Sequence, residues 1–232
     1  MTIRPGLALI FDMDGVIVNS NPVHRESWRA YNLRFGIETD EAMQQRMYGK
    51  RNDEIVRDFF GADLTPEQVA AHGAAKERLF REMMAARLQE SLVPGLSGIL
   101  QAAADGKSRS SAPLGLATNA ERANVDFVLD GISIGAVPLR DCFRVVVDGQ
   151  QVSRPKPYPD IYLRVAELLG YDPRNCVVFE DSHSGAEAAR AAGTRVVGLR
   201  TTHKSFKNID LTVDDFLSAE LKQWLEAQNP VV

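Results

Sequence analysis

Leu7-Ala8-Leu9-Ile10-Phe11-Asp12-Met13-Asp14-Gly15 decides the reading of this chain. Five consecutive apolar residues suit a strand buried on both faces, as in a parallel sheet. The run then stops on two carboxylates, two residues apart, followed by a glycine. Two further runs share this design: Leu114-Gly115-Leu116-Ala117 ends at Thr118-Asn119, and Cys176-Val177-Val178-Phe179 ends at Glu180-Asp181. Val145-Val146-Val147 and the run from Arg195 to Leu199 are candidates of the same kind. Helical patterns fall between them, from Ala120 to Leu129, from Ile161 to Leu169 before Gly170, and from Ser184 to Ala192 before Gly193. Strands alternating with helices predict an α/β fold, and such sheets bind ligands beyond the carboxyl ends of their strands. The three polar strand ends are therefore expected to converge on one site.

The expected core is a doubly wound, Rossmann-like parallel sheet carrying an inserted all-helical cap domain. About a hundred residues separate the first two strands, far more than a crossover needs. Most of this segment reads as helical. Val23 to Phe35 and Asp53 to Phe60 are amphipathic, and Thr65-Pro66-Glu67-Gln68 combines a Thr cap, Pro at the first position and Gln completing a capping box. Leu79, Met83 and Met84 then fall on one side of the helix that follows. These patterns assign residues 21–90 to the cap, and residues 1–20 and 91–232 to the core. Hinges are expected near Ser20-Asn21-Pro22 and Leu92-Val93-Pro94. Residues 105–113 read as a polar surface loop.

With 232 residues, 44% hydrophobic and 25% charged, the chain has the composition of an ordinary globular protein. Its formal charge of -4 argues against nucleic acid as a ligand, which needs a basic face. Cys142 and Cys176 lie far apart, with no zinc-type spacing, and read as reduced cysteines. The apolar run that ends at Asp12 is too short for an export signal, and no stretch approaches a membrane span. The expectation is a soluble, cytoplasmic monomer or weak homodimer that binds neither nucleic acid nor membrane.

Asp12 and Asp14 at the mouth of a sheet are costly unless a cation or proton offsets them, and a magnesium ion supplies that offset. The first aspartate could attack phosphorus, and the second could exchange a proton with the leaving oxygen and then with water. A turn with solvated carboxylates is the alternative for this motif taken alone. Thr118 and Asn119 suit a phosphoryl oxygen, or else cap the following helix. Lys156, between Pro155 and Pro157, sits on a stiff loop where an ammonium could steady the nucleophile, with a solvated lysine as the alternative. Glu180 and Asp181 add acid to the same face and fit metal ligation, with a capped helix start compatible beside it.

Taken together, Asp12-Met13-Asp14-Gly15, Thr118-Asn119, Lys156 and Glu180-Asp181 match in order and spacing the four motifs of the haloacid dehalogenase superfamily. The inserted helical segment resembles the cap of the subgroup that contains β-phosphoglucomutase and phosphoglycolate phosphatase. The resemblance covers nearly the whole chain. It implies Asp12 as nucleophile and Asp14 as general acid and base. It implies Mg2+ held by Asp12, Asp14 and Asp181, with Glu180 direct or through water, and a phosphoryl group held by Thr118, Asn119 and Lys156. Asp14 points away from dehalogenase chemistry, because a protonated oxygen leaving group needs an acid and a halide does not. The expected activity is hydrolysis of a small phosphorylated metabolite of the sugar phosphate or phosphoglycolate type, with hexose phosphate mutase as the alternative.

Candidate substrate contacts in the inserted segment are His24, Gly49, Lys50, Arg51, Asn52 and Lys76. His24 and Lys76 match in position a histidine and a lysine of the mutase cap, or else are solvated helix residues. Asn52 stands where the mutase carries the arginine that grips a far phosphate, and this substitution tilts the expectation toward water as the phosphoryl acceptor. The loop Gly49-Lys50-Arg51-Asn52 is where substrate choice is expected to reside.

Overall fold

A computed structural model describes residues 6–47, 50–104 and 112–230. The chain divides into two compact units, one of residues 1–19 and 89–232 and the other of residues 20–88. Strand β1 (Ala8–Phe11) opens the first unit and is buried along its whole length. The second unit then follows as α1 (Asn21–Leu33), α2 (Glu41–Met47), α3 (Asn52–Phe60) and α4 (Pro66–Met84). Returning to the first unit, the chain forms α5 (Leu96–Ala104), β2 (Leu114–Ala117), α6 (Arg122–Gly131) and a short hairpin of β3 (Ser133–Ile134) and β4 (Val137–Pro138). The remaining elements are β5 (Val145–Val147), α7 (Asp160–Leu169), β6 (Cys176–Glu180), α8 (His183–Ala191), β7 (Arg195–Leu199), β8 (Leu211–Val213) and α9 (Ala219–Ala227).

Six strands form one parallel sheet in the order β5-β2-β1-β6-β7-β8. This is the α/β architecture expected from the apolar runs. Strand order departs in both directions from β1, so the switch point lies between β1 and β6, where open α/β sheets place their ligands. The register sets Phe11 beside Leu116 on one side and Phe179 on the other, which carries the residues after each strand to neighbouring positions. Ile161, Tyr162, Val165 and Ala166 of α7 pack with Ile10, Val178 and Ala188 in a core buried from water. Helix α2 falls within the segment read as helical, whereas strand β8 and helices α5 and α9 escaped the sequence reading, whose patterns there are short and mixed.

In the helical unit, Trp28, Tyr31, Met47, Ile55, Val56 and Val69 form a separate core. The capping box at the start of α4 is present: Thr65 Oγ1 accepts from the Gln68 N–H at 3.3 Å, and Gln68 Oε1 accepts from the Thr65 N–H at 2.9 Å. Of the expected Leu79, Met83 and Met84, Met84 is buried and the other two are partly exposed. The buried side of α4 carries Val69, Gly73, Lys76, Glu77, Phe80 and Met84, two of them charged. Residues 105–111 of the expected surface loop lie outside the described residues, and Ala112 beside them is buried. Among the described residues no helix is long and apolar enough to cross a membrane.

Candidate active site

Asp12 follows β1 directly, and its N–H donates to the Phe179 carbonyl of β6 at 3.0 Å, so the carboxylate is held against the neighbouring strand. The chain then turns tightly. The Met13 carbonyl accepts from the N–H groups of Val16, Ile17 and Val18 at 3.3, 2.9 and 3.2 Å, and Gly15 donates to the Val18 carbonyl at 2.7 Å. Gly15 has φ +78°, a left-handed conformation that glycine adopts without steric cost. The turn leaves Asp14 half-buried, two residues beyond Asp12.

Lys156 reaches this point from the loop before α7. Its backbone N–H donates to Asn119 Oδ1 at 3.3 Å, which ties the loop to the end of β2. The ammonium donates to Asp12 Oδ1 at 2.8 Å, Glu180 Oε1 at 2.6 Å and the Ala117 carbonyl at 3.1 Å. An ammonium has three protons, and all three are used here. The residue is 6% exposed, so the solvated alternative fails. Burial lowers the basicity of the amine, but Asp12 and Glu180 outweigh it and hold Lys156 above its ordinary range.

Glu180 ends β6 with no exposed surface. Besides Lys156, its Oε1 accepts from the Tyr162 hydroxyl at 2.5 Å. Oε2 accepts from the N–H groups of Asp181 and Ser182 at 3.0 and 3.1 Å and from Ser182 Oγ at 2.9 Å. Five donors saturate the roughly four lone-pair sites of a carboxylate. Burial opposes the charge, but Lys156, Tyr162 and the Ser182 N–H hold the Glu180 carboxyl below its usual range.

Asp12, Glu180 and Asp181 each offer an oxygen within 4.8 Å of the others. One ammonium faces three buried acids. Glu180 takes most of its benefit, and the other two show the deficit. Burial raises Asp12 to about 7 against the pull of Lys156, and burial together with Glu180 and Asp12 raises Asp181 well above the carboxylate range. A compact set of hard oxygen donors short of positive charge fits Mg2+, which favours a few carboxylates plus water and phosphate oxygens.

Thr118 is buried, and its Oγ1 accepts from the Ala120 N–H at 3.1 Å. The hydroxyl thus fastens the turn after β2 rather than capping α6, which begins later at Arg122. Its own hydrogen can serve a phosphoryl oxygen. Tyr162, Gly185, Thr201 and Thr202 also reach this region and were missed in the sequence. Thr201 and Thr202 come one and two residues after Arg200, which follows β7, so a search a few residues past every strand end would have found them. Tyr162 had a weaker signal, a phenol on an apolar helix face that needs a partner for its hydroxyl.

Gly185 shows how tightly Glu180 is held. A methyl group there would lie 1.7 Å from Glu180 Oε1 and 2.0 Å from its Cδ. Lys156 and Tyr162 pin that carboxylate, so it cannot swing away cheaply. Gly185→Ala is expected to cost about 1–3 kcal/mol by overpacking and to lower kcat by at least about tenfold through displacement of the Lys156 anchor. Urea unfolding and steady-state assays check both, and wild-type values in both would contradict the placement of Glu180.

The candidates in the helical unit fall into two groups. Lys76, 1% exposed, donates from Nζ to Glu77 Oε1 at 2.7 Å, lies 2.8 Å from His24 Nδ1 and stands 5.0 Å above the Trp28 ring. Asn52 Nδ2 donates to the same Glu77 oxygen at 2.7 Å, and His24 stacks on Phe80 with ring centroids 3.7 Å apart. The structure thus brings His24, Asn52 and Lys76 together through Glu77, and the surface reading of Lys76 is corrected. Lys50 and Arg51 are partly exposed and pair with Asp58 and Asp53 respectively. Gly49 lies outside the described residues.

Comparison with known proteins places this geometry among relatives. The family model of the haloacid dehalogenase-like hydrolases matches residues 7–193. The chain is 33% identical over 196 residues to Protein CbbY of Rhodobacter capsulatus, covering 82% of this chain and 83% of that protein. It is 32% identical over 196 residues to fructose-1-phosphate phosphatase YqaB of Escherichia coli (strain K12), covering 83% and 95%. A crystal structure of β-phosphoglucomutase from Clostridium difficile superposes with a TM-score of 0.77 at 24% identity, covering 94% of this chain and 96% of that one.

Proposed function

We propose that this chain, which belongs to the haloacid dehalogenase-like hydrolase family, is a Mg2+-dependent phosphatase of a small sugar phosphate. The observation that carries the proposal is the Lys156 ammonium, spent entirely on Asp12, Glu180 and a strand carbonyl. Such a fixed cation orients one carboxylate oxygen of Asp12 and leaves the other for phosphorus. A sugar phosphate is the substrate class because the chain resembles a fructose-1-phosphate phosphatase over most of both lengths.

In the reaction, an Asp12 oxygen forms a bond to phosphorus as the bond to the ester oxygen breaks, and Asp14 gives that oxygen its proton. The aspartyl phosphate left on Asp12 is then attacked by water, whose proton returns to Asp14. Free phosphate leaves and both carboxyl groups regain their starting states. Thr118 and the Asn119 backbone hold phosphoryl oxygens, and Lys156 keeps Asp12 in line. Mg2+, held by Asp12, the Asp14 carbonyl and Asp181, would offset the negative charge that nucleophile and phosphate bring together. Glu180 acts as the counter-ion of Lys156 rather than as a principal metal ligand, because protein donors fill its lone pairs. The helical unit acts as a cap that excludes water, with His24, Gly49, Lys50, Arg51, Asn52 and Lys76 bearing on substrate choice.

The contact of Lys76 with His24 favours a second reading, hexose phosphate transfer, because both match mutase positions. Engagement of Asn52 by Glu77 weighs against it, since that pair offers a carboxylate where a far phosphate would need a cation. A panel of phosphate esters decides between the readings, run with Mg2+ and with EDTA beside a coupled assay of β-glucose 1-phosphate with a bisphosphate primer. The expected result is phosphate release from a ketose or hexose phosphate that EDTA abolishes, with no glucose 6-phosphate formed. Glucose 6-phosphate formation without phosphate release would replace this proposal with the mutase.

A further inference from the structure

We infer that Thr202 is a positioning residue for the Asp181 carboxylate, so that the loop after β7 sets the geometry of the divalent-cation site proposed above. Thr202 and its neighbour Thr201 lie beyond residues 193, where the family match ends. Thr202 Oγ1 donates to Asp181 Oδ2. Thr201 Oγ1 donates to the Gly15 carbonyl at 2.6 Å. Two consecutive hydroxyls therefore fasten to the site, one to the carboxylate after β6 and one to the turn after β1.

The loop is well placed to hold that position, because both of its ends are fastened. At its start, the Arg200 N–H donates to the Val213 carbonyl at 2.9 Å, and the Arg200 guanidinium pairs with Asp214 at 2.7 Å and reaches the Thr212 carbonyl at 3.3 Å. At its other side, the His203 ring stacks on His183 at the start of α8 with centroids 4.1 Å apart, and Phe206 packs edge-on against His183. Asp181 is 3% exposed and sits among like charges. A donor on one carboxylate oxygen fixes the rotamer and turns the other oxygen to a cation. Partners of this kind typically change metal affinity by about 10–100-fold.

The test rests on the Mg2+-dependent reading but is made by direct binding. Mg2+ affinity of Thr202→Val, Thr202→Ser and wild type is measured by calorimetry and by Mg2+-induced thermal stabilisation, with the melting temperature in EDTA as the folding control. Thr202→Val is expected to bind Mg2+ at least about tenfold more weakly, to regain most of its activity at saturating Mg2+ and to melt near wild type in EDTA. Thr202→Ser should restore the affinity. Mg2+ binding by Thr202→Val within about twofold of wild type would overturn the inference, as would failure of the serine to restore it. A wild type that binds Mg2+ yet hydrolyses no ester would overturn the phosphatase reading alone, since the affinities still decide the role of Thr202.

Discussion

Asp12→Asn is expected to lower Mg2+-dependent phosphate release by a factor on the order of 10⁴ or more, because no other group can form the acyl phosphate. The amide keeps the size of the side chain, and its oxygen can still accept from Lys156, so the fold should survive. Stability supplies a second readout in metal-free protein. Burial raises the Asp12 carboxyl to about 7 in the folded state from an ordinary 3.8. The native state then holds a proton that the unfolded chain releases. The contribution of Asp12 is fully present below the unfolded value and is lost as pH rises through the folded value. In EDTA the variant should therefore melt above wild type at pH 8, with the gap closing toward pH 4. Added Mg2+ should reverse the order by binding only the native wild-type site tightly. Phosphate release by the variant within about tenfold of wild type would remove Asp12 from the nucleophile role.

Lys156→Met should have the second largest effect and should strike stability as well as activity. The thioether fills the stem's volume but leaves Asp12 and Glu180 without their shared cation, both buried. Breaking a buried pair by removing one partner costs about 3–5 kcal/mol. Loss of the oriented nucleophile should lower kcat by about 10³-fold or more. The pair Lys156→Met and Glu180→Gln separates the two effects. The double variant removes one stranded carboxylate and should recover much of the stability while remaining inactive. Urea unfolding and a phosphate-release assay measure both quantities. A stability loss under about 1 kcal/mol in Lys156→Met would show that the ion pair is not what holds these carboxylates.

The sheet was legible in the sequence because its central strands are local objects. Ala8–Phe11, Leu114–Ala117 and Cys176–Glu180 are buried on both faces, and that burial requires the uninterrupted apolar runs by which they are recognised. The candidate site was legible largely for the same reason, since Asp12, Thr118 and Glu180 end such runs, whereas Lys156 is marked by the two prolines beside it. Helix ends were less sharp: α6 begins at Arg122 rather than Ala120, because Thr118 spends its hydroxyl on the turn. Strand β8, with three residues, is too short to carry a pattern of its own.

Asp12, Asp14, Thr118, Glu180 and Asp181 are singled out by the sequence alone, because polar residues at the ends of buried strands announce themselves by position, and Lys156 by its place between two prolines. What each does for the others belongs to the tertiary structure. Glu180 reads as one more acid beside a metal until Lys156 and Tyr162, brought from the loop and helix before β6, occupy its Oε1. Lys76 reads as either a substrate contact or a solvated helix residue until His24 and Trp28 of α1, and Glu77, itself held by Asn52 of α3, receive it. Periodicity reports which face of an element is apolar. It cannot report that a charge on the buried face has found partners far along the chain, and those partners decide whether a buried charge is tolerated.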